Sequence, residues 1–358
     1  MRLTFVSLIL LLTTCARPCQ AFERPDREFR VFQFPKHMIP CIDGDPLDWD
    51  IVPDSYRIGL DQLEETANHA ARDPNNLNIS VKMGWVKGLN RLYVLYEAYD
   101  DYWEFDIPGL DGDIFELVVD GDCSGGPLIP ELRTDLKLDD RNGFLFRGVH
   151  AQNYHIFTPA ADKEWCMVWG CQPWIAGLPW ANAACSYTFR HGESGRLTLE
   201  FWITPFDYAP FEGPGRAAVS RLEENAIIGL SFAVLDHDGP PDHHRFGFWS
   251  LSHTTTMYGN ASELVKFRLM PLENRFRKPV EADWTFRVVD MDRRLVAFID
   301  RSHGPNTSWR WEFGDGTVST ERNPVHTYER PGSYVVVLTV GGHAGSARMV
   351  KVWDVTVK

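Results

Sequence analysis

The chain has 358 residues, and 49 acidic against 36 basic side chains give it a formal net charge of −13. That balance opposes attraction to nucleic-acid phosphates or an anionic membrane and suits a neutral partner such as a polysaccharide or other glycan. Thirteen Trp, 11 Tyr and 22 Phe make a high aromatic load, most of which belongs in a core.

Arg2, the mainly apolar residues 3–12 and then Thr13, Thr14, Cys15 and Ala16 form the pattern of an export signal over residues 1–21. The apolar run is too short to span a bilayer, and no later stretch reaches the roughly 18 apolar residues of a membrane helix. The expectation is a secreted or extracytoplasmic protein, at the cell surface or in the periplasm, with no transmembrane segment. Cleavage after Ala21 and after Ala16 both fit, and only the second leaves Cys19 in place. Thr14 is bulkier than the small residue that precedes a lipidated cysteine, which argues against a lipid anchor at Cys15.

With residues 1–21 removed, Cys41, Cys123, Cys166, Cys171 and Cys185 remain, an odd set that leaves at least one thiol outside any intrachain disulfide. A disulfide scaffold is excluded. Cys166 and Cys171 are near enough in sequence to staple a loop in an oxidising compartment, or equally to stay as two buried thiols.

Residues 64–71 suggest one short helix. Residues 79–85 then alternate Ile79, Val81, Met83 and Trp85 with Ser80, Lys82 and Gly84, the period of a strand buried on one face. Further strands are expected over 92–98, 114–119, 154–158, 186–190, 197–204, 227–235, 245–251 and 265–269, bounded by Gly, Pro, Asn or Asp. Short strands at this spacing with few helical patterns predict an all-β fold, an antiparallel sandwich or jelly roll. Residues 271–282 carry prolines and charges without an apolar period and read as a linker. Beyond it, 284–290, 295–300, 308–313, 333–340 and 347–357 predict a smaller immunoglobulin-like sandwich over 283–358.

In that second segment Trp309-Arg310-Trp311-Glu312-Phe313-Gly314-Asp315-Gly316, then Asn323-Pro324-Val325-His326-Thr327-Tyr328 and Pro331-Gly332-Ser333-Tyr334, closely resemble a PKD domain. The resemblance implies a spacer or contact module, with Asp315 and His326 as structural residues. The segment 22–270 more loosely resembles a family 9 carbohydrate-binding module. The residues that carry this are Ile42-Asp43-Gly44-Asp45-Pro46-Leu47-Asp48-Trp49, Arg91-Leu92-Tyr93-Val94, Asp100-Asp101 and the run from Asp113 through Glu116 to Asp120. This second resemblance implies a jelly-roll sandwich that binds sugar between tryptophans. Residues 133–183, with Trp165, Trp169, Trp174 and Trp180, form an insertion-like region outside the pattern.

Trp103, amid Asp100-Asp101-Tyr102-Trp103-Glu104, is the first ligand-binding candidate. Trp174 and Trp180, on proline-stiffened loops, are candidates for an opposing plate. Trp49, Trp85 and Trp202 belong to the core. Structural calcium is expected at Asp120 and Asp122, in the glycine-permitted turn Asp120-Gly121-Asp122-Cys123-Ser124-Gly125. Asp43, Asp45 and Asp48 are acidic turn residues that hold themselves by local bonds. Asp236-His237-Asp238, with Asp242-His243-His244, is rich in transition-metal ligands but reads first as a surface loop. No H-E-x-x-H, G-x-S-x-G or G-x-x-x-x-G-K sequence supports a hydrolase or nucleotide site. The expected protein is therefore a non-catalytic glycan binder with contacts in the cell envelope or outside it. The alternatives are a structural or adhesive protein and a glycoside-active enzyme using Asp113 and Glu116, whose separation by three places them on opposite strand faces.

Overall fold

Alternation of apolar and polar side chains sets where the strands run. The computed structural model describes residues 22–105, 109–132, 137–160, 164–239, 245–277 and 279–358. The expected export signal and the Asp242-His243-His244 part of the ligand-rich loop lie outside the described residues. The chain divides after Pro271 into two units.

In the N-terminal unit the principal strands are β1 (Glu28–Gln33), β2 (Leu77–Trp85), β3 (Leu92–Asp100), β4 (Ile114–Asp120), β5 (Gln152–Phe157) and β6 (Cys166–Val168). They continue with β7 (Ala181–Tyr187), β8 (Gly195–Ile203), β9 (Ile227–Asp238), β10 (Arg245–Ser250) and β11 (Val265–Leu269). One sheet runs β6-β5-β4-β9-β11-β1, with β10 also paired to β9, and the other runs β1-β2-β3-β8-β7. β1 belongs to both sheets. Residues 28–31 pair with β11 and residues 32–33 with β2, and both pairings are parallel within an otherwise antiparallel sandwich.

The buried rows follow the two-residue period. Leu92, Val94, Tyr96 and Ala98 of β3 meet Phe115, Leu117 and Val119 of β4 and Leu230, Phe232 and Val234 of β9 between the sheets. The opposite face of β4 and β9, with Ile114, Val118, Ala233 and Leu235, is covered by Leu128, Ile129 and Met257. Trp49, Trp85 and Trp202 are buried as expected.

Three local readings are corrected. Residues 64–71 form no helix, because the Glu65 carboxylate collects the amides of Ala67, Asn68 and Ala70 at 2.8, 2.8 and 2.9 Å and wraps the segment around itself. The strand expected at 186–190 is β7, which ends at Tyr187, and Phe189 leaves the sheet to pack on Trp103. The first three residues of the ligand-rich loop are the end of β9, with Asp236 and His237 buried at 4–5% exposed and Asp238 half-buried. The insertion-like region supplies β5, β6 and a short helix α1 (Asp140–Phe146), whose start is capped by Asp139. Among the described residues Cys41, Cys123, Cys166, Cys171 and Cys185 are free thiols, so Cys166 and Cys171 form no staple.

The C-terminal unit contains β12 (Trp284–Asp290), β13 (Leu295–Asp300), β14 (Ser308–Glu312), β15 (Val325–Thr327), β16 (Gly332–Gly342) and β17 (Gly345–Val357). The sheet β12-β13-β15 faces a second one in which a two-residue strand at 318–319, β14, β16 and β17 are neighbours. Trp284, Phe298, Trp311, Phe313 and Tyr328 fill the space between them. Gly314 turns the chain with φ +87°, and a Cβ there would stand 2.5 Å from the Val335 carbonyl oxygen, so glycine is required. Asp315 accepts the Thr317 amide at 3.0 Å and lies 2.7 Å from His326 Nε2, while the His326 ring stacks on Phe313. Both motif residues hold the turn.

Candidate functional site

The opening motif of the N-terminal unit is explained by one side chain on β8. Glu200 is fully buried; its Oε2 accepts the amides of Gly44 and Asp43 at 2.7 and 3.2 Å, and its Oε1 accepts the Trp49 indole N–H at 2.8 Å. Asp43, Asp45 and Asp48 each accept a nearby amide, as turn residues do.

Trp103 is not an exposed platform. It is 1% exposed, donates from Nε1 to the Gly195 carbonyl at 3.1 Å, and lies flat on Phe189 with ring centroids 4.7 Å apart. A loop position among charged residues suggested exposure, but the loop folds back over the end of β8. Trp174 and Trp180 are half-buried and meet edge to face at 75°, both against Phe206, so they are not parallel plates around one sugar ring. Trp180 sits at the Ile203 end of β8, where its carbonyl accepts the Thr204 amide, while Trp103 sits at the Gly195 end. The length of β8 separates them by about 25 Å, which rules out a single clamp.

A different aromatic group forms around Trp103. Phe105, Tyr187 and His191 surround the Trp103–Phe189 stack, with Tyr187 5.0 Å from Phe189 and His191 5.7 Å from Phe105. Tyr187 is 40% exposed, and Phe105 and His191 are half-buried, so together they make a rim at one end of the sandwich. His191 Nδ1 lies 3.3 Å from Glu104 Oε1, placing a polar pair beside the rings. Tyr187 and Phe189 stood in a segment read as plain strand. Their signal was the two-residue spacing of aromatics, continued by His191, where the strand runs out.

Asp120 and Asp122 are occupied by their own turn. Asp120 Oδ2 accepts the Gly125 amide at 2.7 Å, and both residues accept the Ser124 amide. The carboxylates that do gather are Asp100, Asp113 and Asp236, with one oxygen of each within 4.8 Å of the others. Each continues an inward-facing row: Tyr96 and Ala98 lead to Asp100, Phe115 to Asp113, and Phe232 and Val234 to Asp236. All three are 1–5% exposed. Burial, then the charge of Asp236, pushes Asp100 up to about 9. Burial and the neighbouring Asp238 push Asp236 up to about 7. Burial and Asp100 hold Asp113 well above the ordinary carboxylate range. Asp113 also ties the triad to the aromatic rim, because its Oδ2 accepts the Glu104 amide at 2.7 Å and its Oδ1 accepts the His237 amide at 2.8 Å. A pocket of about 200 Å³ lined by Asn76, Asp236, Asp238, Arg245 and Trp249 opens beside Asp236.

Asp113 and Glu116 do not converge. Glu116 points to the other face of β4, where Asn153 donates to it at 2.6 Å and His155 lies at 3.2 Å.

Comparison with known proteins finds partial matches. A stretch of 42 residues is 57% identical to collagenase ColQ1 of Bacillus cereus, covering 12% of this chain and 4% of that enzyme. A stretch of 43 residues is 51% identical to collagenase ColA of the same species, again 4% of its length. The chain thus spans only a small part of the curated relatives it matches. The family 9 carbohydrate-binding module of Caldicellulosiruptor kristjanssonii, solved with cellotriose, aligns with 69% of this chain and 95% of its own at 14% identity and a TM-score of 0.43. The PKD1 domain of Vibrio anguillarum Epp aligns over 23% of this chain and 99% of its own, at 27% identity and a TM-score of 0.21. Among the described residues no helix is long and apolar enough to cross a membrane. The family whose model this chain matches is the PKD domain, over residues 292–357.

Proposed function

We propose that the N-terminal unit docks a glycan on the rim of Tyr187, Phe105 and His191, and that the PKD domain acts as spacer or contact module in a secreted, cell-surface or periplasmic protein. The observation that carries this reading is Tyr187, 40% exposed and backed by the Phe189 ring at 5.0 Å. Such a ring offers a rigid apolar face for the C–H side of a pyranose, and the Glu104–His191 pair beside it can meet hydroxyls. The net charge of −13 favours a neutral ligand. Binding fits better than cleavage, because the carboxylates that gather here are buried and Asp113 and Glu116 face apart.

Titration of the protein with a panel of soluble oligosaccharides, followed by tryptophan fluorescence, tests the reading. A saturable change that is lost in Tyr187→Ala and kept in Trp180→Ala is the expected result. Loss in Trp174→Ala or Trp180→Ala instead moves the site to the other end of β8. No response to any glycan favours a structural or adhesive protein.

A further inference from the structure

We propose that one buried water molecule completes the polar group of Glu116, Asn153, His155 and Trp169 beside β4 and β5, accepting from the Trp169 indole and donating to Asn153 and His155. Glu116 and His155 are direct cross-strand partners, and Asn153 stands two residues from His155 on the same strand. All three therefore leave the sheet on the face opposite the core row of Phe115, Leu117 and Tyr154. They are 0–4% exposed, and the apolar cover of that face is Leu128, Ile129 and Met257, a cluster against which Trp169 also packs. Polar groups in such surroundings are costly unless each is hydrogen-bonded.

Part of the set satisfies itself. Asn153 Nδ2 donates to Glu116 Oε1 at 2.6 Å and to the Tyr258 carbonyl at 2.9 Å, and His155 Nε2 lies 3.2 Å from the same Glu116 oxygen. In a neutral imidazole the nitrogen facing a carboxylate carries the hydrogen, which leaves His155 Nδ1 as an acceptor. Three atoms then remain, each buried without a hydrogen-bond partner: Asn153 Oδ1, His155 Nδ1 and Trp169 Nε1. They belong to one neighbourhood. The Trp169 ring meets the His155 ring at 62° with centroids 5.6 Å apart, and the Trp169 amide donates to the Asn153 carbonyl at 2.9 Å.

The three atoms are one donor and two acceptors. Their complement is a group that offers a lone pair and gives two hydrogens, which describes water. A hydroxyl has one hydrogen too few, an ammonium ion has no lone pair for the indole, and a metal cation would be repelled by the indole N–H. A buried water usually makes about three hydrogen bonds to groups otherwise unmet, and three are on offer here. The water ties Trp169 to β5, while the Arg147 guanidinium, 5.5 Å from the Trp169 ring, holds the indole as well. Glu116 thereby sits inside a satisfied network under an apolar cover instead of facing a ligand. The inference does not depend on the glycan reading.

The test is a high-resolution crystal structure of the full chain, joined to nuclear magnetic resonance of the same protein. One ordered oxygen within about 2.7–3.2 Å of Asn153 Oδ1, His155 Nδ1 and Trp169 Nε1 is expected. In solution the Trp169 indole N–H, identified by its loss in Trp169→Phe, should show a nuclear Overhauser cross-peak to water. No oxygen at that position overturns the proposal, as does one that reaches only a single member of the set, or an indole N–H without the cross-peak. So does a His155 ring whose Nδ1 carries a hydrogen, since one of the two acceptors would then be gone. Both measurements on the parent chain stand even where Trp169→Phe fails to fold.

Discussion

The indole of Trp103 and the ring of Phe189 lie parallel within 3°, their centroids 4.7 Å apart. At that separation nothing fits between them, and the Trp103 N–H is already bonded to the Gly195 carbonyl. Trp103→Ala should therefore cost stability first, about 3–5 kcal/mol as for other buried large-to-small changes. Urea unfolding would show it. A variant as stable as the parent would mean that the stack is not part of the core.

Glu200 accepts three donors from the 43–49 segment while itself fully buried. Glu200→Ala leaves the amides of Asp43 and Gly44 and the Trp49 indole without an acceptor. With the Gly44 amide and the Trp49 indole buried and each unmet buried donor costing about 1–3 kcal/mol, the loss should reach about 2 kcal/mol or more. Chemical denaturation measures it, and hydrogen exchange at Gly44 should accelerate in the same variant.

Gly314 holds φ +87° with the Val335 carbonyl in the space a side chain would take. Gly314→Ala should destabilise the C-terminal unit by at least about 1–3 kcal/mol, the usual scale of such backbone strain. The melting transition of that unit should fall while the N-terminal one stays put, which calorimetry on the whole chain can resolve.

Burial raises the proton affinity of Asp315, but bonds from Thr317 and the neighbouring His326 outweigh it and hold the carboxyl below its ordinary value. A carboxyl held low in the folded state contributes stability that is present above its unfolded value, near pH 4, and is lost as pH falls through the folded one. The C-terminal unit should weaken more steeply on acidification than its Asp315→Asn variant. Equal slopes in acid melting series would remove this role from the pair.

Strand positions were legible because they depend on local alternation, as in Ile79, Val81, Met83 and Trp85. The C-terminal turn was legible for the same reason, since Trp311, Phe313 and Gly314 act within a few residues of one another. What depends on distant partners was not. The Glu65 carboxylate converts a helix-like stretch into a wrapped loop, and nothing nearby in sequence announces which amides it will collect. The segment 28–33 lacks the clean alternation of a one-sided strand because it serves two sheets. Trp103 looked exposed from its charged neighbours, whereas its burial is decided by Phe189, on the far side of β7. The acidic triad was written in the rows ending at Asp100 and Asp236, yet each aspartate alone resembles a turn residue, and only the meeting of three strands distinguishes them.

The placement of β1 bears on the order in which the N-terminal unit can be made. Its ladder partners are residues 266–269 of β11 and residues 84–85 of β2, so the first strand of the unit is seated only when the last has been synthesised. Until then Val31 and Phe32 have no complete surface to cover them, and closure depends on contacts of the greatest sequence separation in the unit, which form slowly. A chain emerging from a ribosome would keep this unit open through most of its synthesis, exposed to holding factors, and would close it in one late step.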